Sequence, residues 1–328
     1  MPEILSYKVQ EYTDEIKNIF RGVYNDFKSK AYSEYKFELE PLDYEEFTAS
    51  VNEGLIKCLI LLEDEIPTAF MVYTTEISEA LELNMIHCIG DEKLNEKRKL
   101  LMEKFLEVNK ELLKEKVVTY PMLGTQEQFT PEITKYGFKL IGLAVERFEF
   151  GNIKSIEIFK SYKQRTLPED YKIVKWDEKY SEDIINIINT SFKETSDALF
   201  DPRFLSSEGS KDILTKIVTG IYGRFLPDCT SVLLYKDKPV GICFANITAG
   251  RIANVPIIGM GKEHCSKGLG EAMLYNTVKS LTDKHLSMLS EVNASTETDN
   301  YPALKMYRRL GFKEDYYYTQ AYKPINSD

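Results

Sequence analysis

One short segment of the sequence combines residue types and spacing that suit the binding of an anion. HCSKGLGEAML, residues 264–274, places two glycines two residues apart at the start of a helical pattern. Glycine lets the backbone approach a bulky anion, and a helix N-terminus offers unpaired amides and the positive end of its dipole. A Gly-x-Gly alone is more often a plain turn. Its position between a buried strand and a helix favours a phosphate cradle.

Other chemistries that use glycine-rich loops or ligand clusters find little support. A dinucleotide fingerprint follows the first strand of an alternating β-α-β array, whereas this loop follows the fourth strand of a mostly antiparallel pattern. No GxxxxGK[ST] motif occurs. The five cysteines lack CxxC spacing and the three histidines lack ligand spacing, so we expect neither a metal site nor a disulfide framework. The cysteines are typical of reduced thiols, which favours a cytoplasmic protein.

Composition and charge restrict the ligand and the partners. The chain has 328 residues, enough for two domains, and its formal net charge of −10 disfavours nucleic-acid and anionic-membrane surfaces. Residues 1–150 carry 18 Lys and Arg against 29 Asp and Glu, whereas residues 151–328 carry 24 against 23. The second half is therefore the better place for an anionic ligand. No apolar run is long enough to span a bilayer, and the first residues lack a signal-peptide pattern.

The elements that must position the loop occur twice along the chain. Each half is predicted to hold a strand, two helices, three strands, a helix, a strand, a short helix and a last strand. Pro67 and Pro239 open matching strands 172 residues apart, and Gly137 and Gly311 end matching short helices 174 residues apart. These offsets predict an internal duplication. We expect an α/β (α+β) chain of two domains, residues 1–150 and 170–328, joined by a linker over 151–169. Each domain should have a mixed, mostly antiparallel sheet flanked by helices.

A second segment, NYPALKMYRRLGF at residues 300–312, completes a resemblance to a known family. Residues 170–325 resemble the GNAT superfamily of acyl-CoA-dependent N-acetyltransferases. IGM at 258–260 matches the end of the strand before the family's phosphate loop, and CSKGLG at 265–270 matches the loop itself. The second segment fills every position of the family's second motif, with Asn300, Ala303, Tyr307, Gly311 and Phe312. The resemblance therefore implies two tandem GNAT-like domains, of which the second carries the motifs.

The resemblance implies acetyl-CoA as the cofactor and a role for each matching residue. Backbone groups of Ile258 and Met260 would pair with the pantetheine amides, and the amides of Ser266–Gly270 would hold the pyrophosphate. Asn300 would contact the pantetheine arm. Tyr307 would protonate the leaving thiolate, for which a phenol is a reasonable donor in a dry cleft; the alternative is a packed helix residue. The expected cofactor-binding set is Ile258, Gly259, Met260, Cys265, Ser266, Lys267, Gly268, Leu269, Gly270, Asn300, Ala303 and Tyr307.

Two features leave the chemistry incomplete. Cys265 stands where the family has Arg or Gln, and we interpret it as a small loop residue. A nucleophilic Cys265 would need a partner, and the adjacent His264 points elsewhere on an extended chain. No general base is evident, because the strand over residues 251–260 has no carboxylate. Glu291 on the following strand is the candidate, with water or the substrate's own deprotonated amine as alternatives.

The first half resembles the same fold with the chemistry removed. Its loop, GDEKLNEKRKLL from residue 90, keeps one glycine, Gly90, and Asp91 and Glu92 would repel phosphate. The Asn and Tyr of the second motif are missing from TPEITKYGF, where Tyr136 directly precedes the glycine. The motifs therefore assign acetyl-CoA to the second domain alone.

Three functions remain open. The leading one is an N-acetyltransferase that moves acetyl from acetyl-CoA to a primary amine of a small molecule or peptide, by direct attack in a ternary complex. A non-catalytic acyl-CoA-binding sensor is favoured by Cys265 and the missing base and opposed by the intact Tyr307. A transferase of a larger acyl or aminoacyl group is the third, and the net charge of −10 disfavours aminoacyl-tRNA as its donor. The sequence identifies neither the acceptor amine nor the oligomeric state.

Overall fold

The computed structural model describes residues 6–37, 40–77, 79–90, 93–164 and 166–325. The chain divides into two compact units. The first comprises Met1–Ile141, Leu199–Asp201 and Tyr318–Asp328, and the second comprises Gly142–Ala198 and Pro202–Tyr317. Each unit contains helices and mostly antiparallel strands, which confirms the predicted fold class.

The first unit is built on one sheet. Its strands are β1 (Tyr7–Glu11), β2 (Lys57–Glu63), β3 (Ile66–Thr74), β4 (Ala80–Cys88) and β5 (Val117–Met122), and its helices are α1 (Lys17–Tyr35), α2 (Tyr44–Asn52), α3 (Leu94–Val108) and α4 (Thr130–Ile133). Short 3-10 helices cover Asp14–Ile16, Leu112–Lys114, Gly124–Phe129 and Thr134–Tyr136. The strands pair in the order β1-β2-β3-β4-β5, and residues 318–323 pair antiparallel with β5. Only β4 and β5 run parallel among these pairs.

Both faces of the first sheet are covered, because β2 is apolar on both sides. Leu59 and Leu61 belong to the apolar cluster that includes Phe105 of α3. Ile60 belongs to the opposite cluster, which includes Phe20 of α1. Strands buried on both faces read as continuous apolar runs, as CLILL does here. The unit is therefore a three-layer arrangement of helices on both faces of a sheet.

The second unit contains two sheets. Its further strands are β6 (Lys139–Glu149), β7 (Tyr171–Lys175), β8 (Arg224–Phe225), β9 (Ser231–Tyr235), β10 (Lys238–Cys243), β11 (Asn246–Ala249), β12 (Ile252–Asn254), β13 (Ile258–Met260), β14 (Glu291–Glu297) and β15 (Lys313–Lys323). The helices are α5 (Ile153–Ser161), α6 (Ser181–Phe192), α7 (Asp197–Phe200), α8 (Ser207–Val218), α9 (Leu269–His285) and α10 (Tyr301–Arg309). Short 3-10 helices cover Glu178–Tyr180, Pro202–Leu205 and Lys262–His264. One sheet runs β6-β14-β12-β11-β8 and the other runs β13-β10-β9-β7.

Helices cover opposite faces of the second unit's sheets. Leu233 of β9 packs in the cluster with Met273 of α9. Its neighbour Val232 points the other way and packs with Ile188 of α6 and Ile213 of α8. The period-two alternation along β9 therefore separates α9 from α6 and α8.

The observed division corrects the predicted boundary between the two halves. Residues 142–149 of β6 belong to the second unit, where they pair with all of β14 from Glu291 to Glu297. Residues 318–323 of β15 belong to the first unit instead. The predicted linker over 151–169 contains α5, which Asn152 caps by accepting a hydrogen bond from the Ser155 amide at 3.2 Å. A strand's alternation fixes its two faces and leaves its partner open, so pattern alone did not reveal these pairings.

Two further properties concern the side chains and helices that the structure describes. The five cysteines, Cys58, Cys88, Cys229, Cys243 and Cys265, are free thiols. No helix in the described ranges combines the length and apolar character needed to cross a bilayer. The same ranges hold no group of three or more His, Cys, Asp or Glu side chains arranged to ligate a metal.

Candidate functional site

The second unit contains a cleft where two neighbouring strands part. β12 pairs in parallel with β14 along Ile252–Asn254, and the Val255 amide still donates to the Asn293 carbonyl at 2.9 Å. Pro256 has no N–H to continue the ladder. β13 pairs instead with β10 of the other sheet, so the predicted single strand over 251–260 is two strands. A cavity of about 860 Å³ opens between β13 and the end of β14.

The edge strand β13 directs backbone groups toward this cavity. The Ile257 carbonyl accepts a hydrogen bond from β10 at 3.0 Å, and the Gly261 amide donates one to it at 2.9 Å. Backbone groups alternate in direction along a strand, so those of Ile258 and Met260 point away from β10. β10 is the one strand paired with β13 in the described sheet. The Met260 carbonyl accepts from the Ser191 hydroxyl at 3.0 Å, and both amides remain directed at the cleft.

The glycine-rich loop forms one end of the cavity. Gly268, with φ of +77°, is the N-cap of α9, and Ser266 also has a positive φ of +61°. These turns bring the backbone of the loop and the first turn of α9 to the cavity wall. A Cβ on Gly270 would lie 3.3 Å from Cε of Met260 and 3.5 Å from Sδ of Met306, so glycine permits close packing there. The first amides of a helix have no intrahelical partner, which leaves them available to an anion.

The charged side chains next to the loop are already paired. Lys267 Nζ donates to the Glu263 carbonyl at 2.9 Å and to the Tyr171 hydroxyl at 3.3 Å, and its side chain does not line the cavity. Glu271 lines the cavity, and Arg309 neutralises it with an Nη1–Oε2 distance of 3.2 Å. The loop therefore offers an anion mainly backbone amides. The ammonium of Lys267, predicted to belong to the site, faces Tyr171.

Cys265 lines the cavity at the loop, where the predicted motif has Arg or Gln. Its Sγ lies 3.6 Å from the Gly261 carbonyl. Burial raises the pKa of the Cys265 thiol, which disfavours the thiolate that a nucleophile requires. His264 is engaged elsewhere, with Nδ1 2.7 Å from the Tyr171 hydroxyl. This geometry favours the interpretation of Cys265 as a loop residue.

Helix α10 brings the second motif to the opposite wall. Asn300 Oδ1 caps the helix by accepting from the Ala303 amide at 3.2 Å, and Pro302 occupies the first turn. Asn300 and Ala303 both line the cavity. Tyr307 lines it too, although its side chain is only 2% exposed and its ring packs 5.3 Å from Phe312. Burial raises the pKa of Tyr307, so the phenol keeps its proton in this dry wall.

A carboxylate that the sequence analysis missed lies at the end of β14. Glu297 is half-buried in the cavity wall. Its pKa is raised by burial and by the charges of Asp197 and Asp299, and a hydrogen bond from Ser196 opposes the shift. A carboxyl with a raised pKa exchanges protons closer to neutral pH. The signal available in the sequence was its position, the last residue of the strand that precedes Asn300.

Glu291, the predicted candidate base, does not lie at this cavity. It begins β14, at the opposite end of the strand from Glu297. Arg147 Nη1 donates to its carboxylate, and Arg147 also pairs with Asp315 at 2.9 Å. A strand of seven residues spans roughly 20 Å, so one strand can carry both carboxylates far apart. The structure thus moves the candidate base from Glu291 to Glu297.

Comparison with known proteins places this architecture. No family model and no curated protein matches the sequence. Among solved structures, the GCN5-related N-acetyltransferase from Sphaerobacter thermophilus superposes with a TM-score of 0.65 at 12% identity, covering 98% of this chain and 96% of that one. A tandem GNAT protein from the clavulanic acid biosynthesis pathway superposes with a TM-score of 0.63 at 10% identity, over 98% and 100% of the chains. The chain has the tandem GNAT fold.

The first GNAT-like unit closes its own cleft with a side chain. With the offset of 172 residues between Pro67 and Pro239, Ile86 corresponds to Ile258. The Ile86 amide donates to Gln126 Oε1 at 2.8 Å, and the Tyr120 hydroxyl donates to the same oxygen at 2.7 Å. Gln126 is fully buried. It therefore occupies the backbone donor that the second unit leaves directed at its cavity.

An arginine replaces the glycine at the matching helix start. Arg98 corresponds by the same offset to Gly270, and its side chain is only 2% exposed. Its guanidinium donates at 3.3 Å to Asn95 Oδ1 and to the Thr125 carbonyl. The place of a phosphate in the first unit is therefore filled by the chain itself. Asp91 and Glu92, expected to repel phosphate, lie outside the described residues.

Proposed function

We propose that this protein is an N-acyltransferase that moves an acetyl group from acetyl-CoA to a primary amine of a small molecule or peptide. The observation that carries the proposal is the cleft between β13 and β14, with an amide-rich glycine loop at one end and a buried phenol in its wall. The GNAT fold adds that such clefts occur in proteins named as N-acetyltransferases. In a fungal relative of this fold, the region of similarity is named as a glucosamine N-acetyltransferase; the TM-score is 0.65 at 11% identity, over 98% of this chain and 38% of that chain.

The residues present fit acetyl-CoA, which would supply an acyl group activated as a thioester. The loop at 265–270 would hold the pyrophosphate with backbone amides. The groups of Ile258 and Met260 that face the cleft would pair with the pantetheine amides as an added strand pairs with a sheet edge. Asn300 would contact the same arm through its amide nitrogen, since its oxygen caps α10.

Two side chains would manage the protons. Tyr307 holds a proton on its phenol oxygen in a wall with little water, where a negative charge on a leaving sulfur is costly. Glu297 would accept a proton from the incoming ammonium, because a cationic amine must lose a proton before its nitrogen can attack. Direct attack within a ternary complex needs no nucleophile from the chain, in agreement with the raised pKa of Cys265.

A coupled assay tests this function. Thiol release from acetyl-CoA is followed against polyamines, amino acids, aminoglycosides and peptide amines, beside calorimetric titration with CoA. We expect saturable CoA binding and acceptor-dependent thiol release. CoA binding without turnover on any amine would favour a non-catalytic sensor, and turnover with longer acyl-CoA alone would favour a larger acyl donor. No binding of any acyl-CoA contradicts the proposal.

We expect one CoA to bind per chain. In the first unit Gln126 occupies the Ile86 amide and Arg98 fills the matching helix start, which leaves the second unit as the binding site. Calorimetric titration of the intact chain should give a stoichiometry near one, and a Gly268→Asp variant should show no residual high-affinity site. Two equivalent sites, or one site that survives in the variant, would assign CoA to the first unit.

Replacement of Glu297 by glutamine is expected to lower kcat/KM at neutral pH by about a hundredfold or more, since the base is removed with little change of shape. In the unaltered protein kcat/KM should rise with pH as Glu297 ionises, and this limb should be missing in the variant. Glu194→Gln is the matched control, because Glu194 lines the same cavity but is paired with Lys262. Equal losses in both variants would attribute the effect to cavity charge rather than to a base.

A further inference from the structure

A buried carboxyl lies next to the proposed site without any stabilising contact. Glu146 of β6 is fully buried, and neither side-chain oxygen has a hydrogen-bond partner among the described residues. Such a group is costly to bury, more so when ionised. A glutamine would avoid the charge and an apolar residue would avoid both costs. Packing therefore gives no reason for a carboxyl at this position, and strongly perturbed groups of this kind concentrate at functional sites.

Strand register places Glu146 at the foot of the cleft. Glu146 lies directly opposite Ala294 of β14, and the pair beside it on the same face is Ala144 with Thr296. Thr296 lines the cavity. Ala294 belongs to the apolar cluster that contains Tyr307. Glu146 therefore faces the layer in which the phenol is buried, one residue pair away from the cavity wall.

The charges around Glu146 favour its neutral form. From α10 it meets Tyr307 and Arg308, and from β15 it meets Glu314, while β14 presents Ala294 and Thr296 on this face. Arg308 is paired with Glu314, so it offers Glu146 little compensation. Burial, reinforced by the charge of Glu314 and opposed by Arg308, raises the pKa of Glu146 to about 7. An ionised Glu146 raises the pKa of Tyr307 in turn.

We propose that Glu146 is the internal proton store for Tyr307, an inference that rests on the proposed function. After the phenol has given up its proton, the Glu146 O–H bond breaks and the Tyr307 O–H bond re-forms, with the proton passing through one intervening water molecule. The transfer runs downhill, since a buried phenolate is a far stronger base than a carboxylate. The carboxylate left on Glu146 regains a proton from solvent between turnovers. Glu146 is thus a positioning residue that acts through Tyr307.

The test compares Glu146→Gln with the unaltered protein across pH, using the acceptor that the amine panel identifies. Below pH 6 Glu146 is protonated and the unaltered protein should exceed the variant in kcat by about tenfold. Above pH 8 neither protein has the stored proton, so the ratio should approach one. Taking the ratio cancels ionisation of the amine and of Glu297. A purely structural role predicts a ratio that does not change with pH.

Two further measurements keep the proposal open to refutation. In a Tyr307→Phe background, Glu146→Gln should cause no additional loss of kcat, because the store has nothing to supply. In the unliganded protein, the difference in unfolding free energy between wild type and Glu146→Gln should shift with a midpoint near pH 7. The wild type should lose stability relative to the variant as pH rises, since its folded pKa is raised. Glu149→Gln, an exposed carboxyl on the same strand, is the control.

The outcomes separate the two proposals. Turnover with a pH-independent ratio, or additive losses in the double variant, overturns the proton store and leaves the acyltransferase standing. Absence of turnover with every amine overturns the proposed function and the proton store together. A titration midpoint far below pH 7 overturns the store whatever the activity.

Discussion

Replacing Gly268 by aspartate is expected to weaken CoA binding by about a hundred- to a thousand-fold. Gly268 caps α9 at the end of the cavity, with φ of +77°. A carboxylate there would face the pyrophosphate among the amides of the loop. Two like charges about 4 Å apart near a protein surface repel by up to about 4 kcal/mol, and each 1.4 kcal/mol is about a factor of ten in affinity. Screening by salt reduces the upper figure, which leaves the stated range.

Gly268→Asn is the matched control for this change. Asparagine and aspartate have the same shape, and both tolerate a positive φ better than most residues, so the pair differs mainly in charge. The asparagine variant should bind CoA within about tenfold of the unaltered protein, and both should unfold at similar temperatures. Calorimetric titration at two salt concentrations provides the measurement. Equal affinities for the two variants would mean that the pyrophosphate lies away from this loop.

The parts of the site that the sequence predicted are those fixed by local chemistry. The loop at 265–270 needs a glycine at a positive φ and a helix start, and both are visible in a few consecutive residues. In α10, Asn300 as the cap, proline in the first turn and Tyr307 two turns on are equally local. The helices and strands of both halves followed from apolar periodicity for the same reason. The break at Pro256 was readable too, since proline inside a strand pattern interrupts a ladder.

The parts that sequence reasoning missed depend on contacts between distant segments. Glu297 and Glu291 are both acidic residues of β14, and only the divergence of β13 from β14 decides which of them faces a cavity. Gln126 lies 40 residues from the Ile86 amide that it blocks. Likewise, β6 alternates like any strand, and its pairing with β14 needs the whole fold. Partner choice, unlike face, is a property of tertiary structure.

Tyr307→Phe is expected to lower kcat by about 10² to 10⁴-fold while the affinity for acetyl-CoA stays nearly unchanged. The ring is buried in the apolar cluster beside Phe312, and phenylalanine preserves that packing. Only the hydroxyl that carries the proton is lost, and general-acid groups contribute rate factors of this size. Because burial raises the pKa of Tyr307, its own ionisation should produce no falling limb near neutral pH in the unaltered protein.

Tyr301→Phe is the control on the same helix, because Tyr301 is 73% exposed and its hydroxyl can be removed without touching the core. Steady-state kinetics with the identified acceptor, beside calorimetric titration with acetyl-CoA, separates chemistry from binding. A drop in kcat confined to Tyr307→Phe assigns the proton to that phenol. Equal affinity with full turnover would make Tyr307 a packing residue, since the packed ring is all that the variant retains. The thiolate would then take its proton from water in the cleft, and the buried Glu146 would have no phenol to serve.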